Sequence, residues 1–100
     1  MVKHVILWTL KDSYSDEEKR EIKKNIKEGL EGLKGKIDGL REITVNIGPL
    51  PSSNCDLMLD SLFDSEEALK NYAVHPAHVA VAENQVKPFT SSRTCMDYTV

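Results

Sequence analysis

Apolar and polar residues alternate along this chain with two periods, and the switches between them mark out the elements. Residues 2–10 read as a strand. Val2, His4, Ile6, Trp8 and Leu10 share one face, and Val5, Leu7 and Thr9 share the other. Both faces are largely apolar, so both need cover. Ser15-Asp16-Glu17-Glu18 has the form of a capping box, with three acids at the positive end of the helix that follows. Ile22, Ile26, Leu30, Leu33 and Ile37 then recur at helical spacing, so the pattern predicts a helix that Asp38-Gly39 ends. Its other face is charged and reads as solvated.

A second strand is predicted over residues 41–47, with Ile43, Val45 and Ile47 on one face. Residues 48–54 carry two prolines and a glycine and read as a loop. Residues 55–63 form a third strand. Leu57, Leu59, Ser61 and Phe63 lie on one face, with Met58, Asp60 and Leu62 opposite. Asp64 or Ser65 caps a short helix that buries Ala68, Leu69 and Tyr72. His75-Pro76 breaks it, because proline suits only the first turn of a new helix. A second helical piece is predicted from Pro76 to about Phe89, with Val79, Ala82, Val86 and Phe89 inward, followed by a last strand over residues 92–99.

The order is β-α-β-β-α-β within one domain, residues 1–100. It predicts the α+β ferredoxin-like plan, a four-stranded antiparallel sheet with its helices on one side. The uncovered side then presents Val5, Leu7, Met58 and Leu62 to water. A patch of that kind marks an interface, and a two-fold homodimer through the sheet face, a dimeric α+β barrel, covers it. Asp60 falls on the same face, where an unpaired carboxylate is costly, so it is expected either beside a partner's lysine or arginine or near the barrel rim.

Composition narrows the function classes. With 13 basic and 16 acidic residues the net charge is −3, which argues against nucleic acid and against an anionic membrane surface. The opening apolar run is too short for a signal sequence or a membrane span. Two cysteines, Cys55 and Cys95, do not make a disulfide framework and read as reduced thiols. A cytoplasmic protein is expected. His75 and His78 stand three apart with no evident third ligand, so no metal is expected, nor any cofactor.

Three segments carry a family resemblance. They are Val2-Lys3-His4-Val5-Ile6-Leu7, the run from Phe63-Asp64-Ser65-Glu66-Glu67 to Tyr72-Ala73-Val74-His75-Pro76-Ala77-His78-Val79, and the tail Met96-Asp97-Tyr98. Together they resemble the stress-responsive dimeric A/B barrel (Dabb) family over nearly the whole chain. The resemblance implies the same fold and dimer, and a stress-associated role. A plant member that closes a polyketide by aldol condensation uses a first-strand histidine, a histidine of the His-Pro-Ala-His segment and a tyrosine. The matching positions here are His4, His78 and Tyr72. A third-strand histidine of that enzyme is replaced by Leu57.

All three histidines of the chain fall in these segments. His4 faces the helices and the broken helix faces its strand, so His4 and His78 are placed at the mouth of a pocket. There imidazoles exchange protons with a carbonyl compound and Tyr72 positions an oxygen. Trp8, Leu57, Leu59, Phe63 and Val79 are the expected apolar walls. Three functions follow: a dimer that binds a small hydrophobic ligand without turnover, a cyclase or isomerase using His4 and His78, and, on fold analogy alone, a monooxygenase. The bland alternative keeps all three histidines as structural: His75 as a cap, His78 bonded to backbone and His4 satisfied in the core.

Overall fold

A computed structural model describes all of the chain, residues 1–100. Its elements are β1 (Val2–Leu10), α1 (Asp16–Glu31), β2 (Leu40–Asn46), β3 (Leu57–Phe63), α2 (Glu66–Val74), α3 (Pro76–Val81) and β4 (Thr90–Thr99). The sheet runs β2-β3-β1-β4 with every neighbouring pair antiparallel. This is the ferredoxin-like α+β fold. The core lies between one sheet face and the helices, where Ile6, Trp8, Leu59 and Phe63 meet Ile26, Leu30 and Tyr72.

Local chemistry explains the element ends. Ser15 Oγ accepts from the Glu18 amide at 3.1 Å and the Glu18 carboxylate accepts from the Ser15 amide at 2.9 Å, which closes the capping box. The helix does not reach Asp38-Gly39. It stops at Glu31 with Gly32 as C-cap, and Leu33 and Ile37 complete the apolar stripe from turns. The glycines permit the turn, Gly35 at φ +85° and Gly39 at φ +83°. Glu31 anchors the end by accepting from Lys27 Nζ at 2.7 Å and from the Val45 amide at 2.9 Å.

The third strand starts at Leu57 rather than residue 55. Asp56 is diverted to β1, where its amide donates to the Trp8 carbonyl at 2.8 Å and its carboxylate accepts from the Leu10 amide at 2.7 Å. Ser65 caps α2 by accepting from the Ala68 amide at 3.1 Å. His75 is extended, and its Nδ1 accepts from the Ala77 amide at 3.1 Å, so it caps α3 ahead of Pro76. The expected helix from Pro76 to Phe89 is three pieces: α3, a π turn over Ala82–Val86 and a 3-10 turn over Lys87–Phe89. Pro88 supplies no amide hydrogen to continue it.

The open sheet face holds Val5, Leu7, Met58 and Leu62 half-buried, with Met96 and Tyr98 of β4 exposed. Asp60 finds its cation within the chain, since Lys3 Nζ donates to it at 2.8 Å. That hydrogen bond holds the Lys3 ammonium above its ordinary pKa. No helix is long and apolar enough to cross a membrane.

Candidate functional site between the sheet and the broken helix

The site is built around the middle of β1. His4 faces the helices and is 7% exposed. As β1 is an interior strand, His4 has a register partner on each side, Ser61 of β3 and Asp97 of β4. Ser61 Oγ donates to the His4 carbonyl at 2.8 Å. The His4 ring is bonded through Nδ1 to the Asp97 carboxylate. A carboxylate only accepts, so Nδ1 carries a hydrogen, and in the neutral ring Nε2 is the nitrogen with the lone pair.

Above His4 sits Tyr72 of α2, 1% exposed. Its ring contacts Phe63 edge-on at 4.9 Å between centroids, His4 at 6.1 Å and His78 of α3 at 4.1 Å. The Tyr72 hydroxyl is buried and has no hydrogen-bond partner in the protein. Burial pushes its pKa well up, with the Arg93 charge acting weakly the other way, so it stays protonated as a donor. Burial also lowers the His78 pKa, and the bond from Nδ1 to the Ala73 carbonyl, 3.3 Å, opposes this. The neutral imidazole is favoured there.

His4, Tyr72 and His78 line one cavity of about 90 Å³. Trp8 and Leu59 are also on its wall, as the sequence suggested, together with Ile6, Leu30, Ala82 and Val86. Three expected wall residues are placed elsewhere. Leu57 is buried in the core opposite Trp8. Phe63 stands behind the rings of His4 and Tyr72. Val79 is 39% exposed, because capping by His75 sets the phase of α3 so that Ala77 and Val81 face the core instead. The π turn adds the residue that brings Val86 inward.

Sequence reasoning missed Asp97, Arg93 and Cys95, all on the helix side of β4. Arg93 is on the cavity wall together with Lys87 and Thr90. The Cys95 thiol lies 3.5 Å from Asp97 Oδ1, and burial and that carboxylate raise its pKa. Strand alternation groups residues 93, 95 and 97 on one face, but the register that sets Asp97 beside His4 is not written locally. His4, Cys95 and Asp97 hold their donor atoms within 4.8 Å of one another. A divalent ion there would displace the hydrogen on His4 Nδ1. His75, considered above beside His78, is committed to its cap.

Fold and site together define a ferredoxin-like domain with a small polar-floored cavity. The chain matches the family described as Stress Responsive A/B Barrel Domain over residues 2–100, and it belongs to that family. An uncharacterized protein of Streptomyces coelicolor is 35% identical over 82 residues, covering 80% of this chain and 81% of that protein. A crystal structure from Bacteroides fragilis, described as a dimeric protein of unknown function with a ferredoxin-like fold, superposes with a TM-score of 0.92. It is 36% identical, over 99% of this chain and 95% of that one. A Dabb family protein from Mesorhizobium loti superposes at 0.68 with 25% identity, over 99% and 95%.

Proposed function

We propose that this protein is a homodimer that binds a small carbonyl compound between sheet and helices and exchanges a proton with it through His4. One observation carries the reading: Tyr72, whose buried hydroxyl has no partner in the protein, is on the wall of a cavity together with a histidine oriented by a carboxylate. An unsatisfied buried hydroxyl costs about 1–3 kcal/mol. A ligand oxygen that accepts from it recovers that loss. His4 Nε2 is then the proton acceptor, Asp97 orients it, and the Tyr72 O–H stabilises negative charge on the carbonyl oxygen. His78, stacked on the Tyr72 ring, keeps that ring in place.

The size of the cavity bears on the ligand. About 90 Å³ of the cavity is open to the centre of a water molecule, which admits a small ligand. The apolar majority of the wall suits a ligand with a hydrocarbon portion.

The dimer part rests on the half-covered apolar sheet face and on the 36% identical Bacteroides fragilis protein, which is described as dimeric. A stress-associated role in the cytoplasm belongs to the same reading. The family description supports the first and the two free thiols support the second.

Two measurements test this. Deuterium exchange at the carbon next to a small ketone, followed by proton NMR, is expected to be accelerated by the protein and lost in His4→Gln. Exchange at the buffer rate with the wild-type protein refutes the proton-transfer step. Sedimentation at micromolar concentration is expected to give twice 11.3 kDa. A stable species of 11.3 kDa refutes the dimer.

A further inference from the structure

We infer that the ligand of this cavity is an organic anion, a small oxo-carboxylate, and that Arg93 is the residue that selects it. This rests on the reading of the cavity as a small-molecule site and adds the charge of the molecule.

The ionisable side chains on the cavity wall besides Tyr72 are His4, His78, Lys87 and Arg93. No carboxylate is among them, in a chain with 16 acidic residues against 13 basic ones. Asp97 touches His4 from the β4 side and is not on that wall. The two cations differ. Lys87 Nζ is paired with Glu83 at 2.7 Å, which offsets its charge. Arg93 takes part in none of the five ion pairs of the structure. Of the other arginines, Arg41 is bonded to Asp64 and Arg20 is exposed on the outer face of α1.

Arg93 is the register partner of Trp8, and its charge reaches inside. It acts to lower the pKa of both Tyr72 and His78. A guanidinium presents a planar fork of donors that fits a carboxylate in two parallel hydrogen bonds. An anion entering so small a space needs such a counter-ion, because a buried unpaired carboxylate is strongly disfavoured.

The arrangement then defines both ends of the ligand. The carboxylate meets Arg93 and the ketone oxygen meets the Tyr72 hydroxyl. His4 Nε2 takes a proton from the carbon next to the ketone. The C–H electron pair becomes the carbon–carbon double bond while the C=O π pair moves onto oxygen, giving an enolate that accepts from Tyr72, and the proton returns to carbon from the His4 imidazolium as these shifts reverse. No oxidant or reductant enters.

Titration calorimetry with acetoacetate and with acetoacetamide, its uncharged analogue of nearly equal size, separates charge from shape. Wild type is expected to bind acetoacetate at least tenfold more tightly than the amide. Arg93→Gln is expected to bind the two equally, and Arg93→Lys to fall between. Arg93 is exposed, so thermal melts of both variants should match wild type and report a correct fold. Equal binding of the two compounds by wild type, or a preference that survives in Arg93→Gln, overturns the anion assignment. Deuterium exchange on the amide reads the His4 and Tyr72 chemistry separately, so that reading can stand when this one fails. If neither compound binds at tens of millimolar, both readings fall.

Discussion

Replacing Tyr72 with phenylalanine sets stability against function at a single atom. The ring is packed by Phe63 at 4.9 Å and by His78 at 4.1 Å, and phenylalanine keeps both contacts. Only the hydroxyl is lost, and it is buried without a protein partner. Leaving such a group unsatisfied costs about 1–3 kcal/mol, so Tyr72→Phe should raise stability by about 1–2 kcal/mol. For a domain of this length each kcal/mol moves Tm by about 4–8 °C, so a rise of roughly 5–15 °C is expected. The assay is thermal unfolding followed by circular dichroism at one fixed protein concentration, because the Tm of a dimer depends on concentration. Urea unfolding should show a higher midpoint with an unchanged slope. The same variant should lose at least tenfold in ligand affinity or in exchange rate, the trade-off expected where a binding site is held in a destabilised arrangement. A Tyr72→Phe protein that is less stable than wild type by about 1 kcal/mol or more would mean that the hydroxyl is already satisfied. The hydroxyl would then not await a ligand oxygen.

Other perturbations separate orientation, charge and backbone. Asp97→Asn should slow proton exchange about a hundredfold or more by releasing the His4 tautomer. It should change stability by less than about 1 kcal/mol, because the Asp97 side chain is 44% exposed; a large loss of stability with full activity would reverse the assignment. Burial holds the His78 pKa below the ordinary 6.5. The unfolded chain therefore takes up this proton first, and stability is complete above about pH 6.5 and lost as the pH falls through it towards the lower folded value. His78→Gln should flatten the fall in the urea midpoint between about pH 7.5 and 5.5, and an identical fall in both proteins refutes the assignment. Gly39 and Gly35 both have positive φ, but a Cβ at Gly39 would lie 2.5 Å from Ala68 Cβ while one at Gly35 meets nothing within 4 Å. Gly39→Ala should cost about 3 kcal/mol and Gly35→Ala about 1–2 kcal/mol; equal denaturation midpoints would show that the contact with Ala68 is relieved.

Much of this molecule is legible in one dimension. The alternation in Val2–Leu10, the Ser15–Glu18 capping box and the His75-Pro76 break each act within a few residues, and each is formed as expected. The order of elements then leaves little choice but the ferredoxin-like sheet. The family resemblance also singled out His4, Tyr72 and His78, which line one cavity. The places where local pattern misled are those where a distant group intervened. Asp56 left the third strand for Leu10 of β1, and Glu31 ended α1 by bonding to Val45 of β2. The cap at His75 turned Val79 outward.

The sequence by itself determined which segments are strands and helices and which of their faces are apolar, because side-chain periodicity is a property of neighbouring residues. Only the tertiary structure decided that His4 is held by Asp97, 93 residues away, and that the unpaired Arg93 is on the wall of the same cavity. Those facts depend on the register between the first and last strands. Cross-strand hydrogen bonds and the packing of the whole core set that register, and no local spacing encodes it.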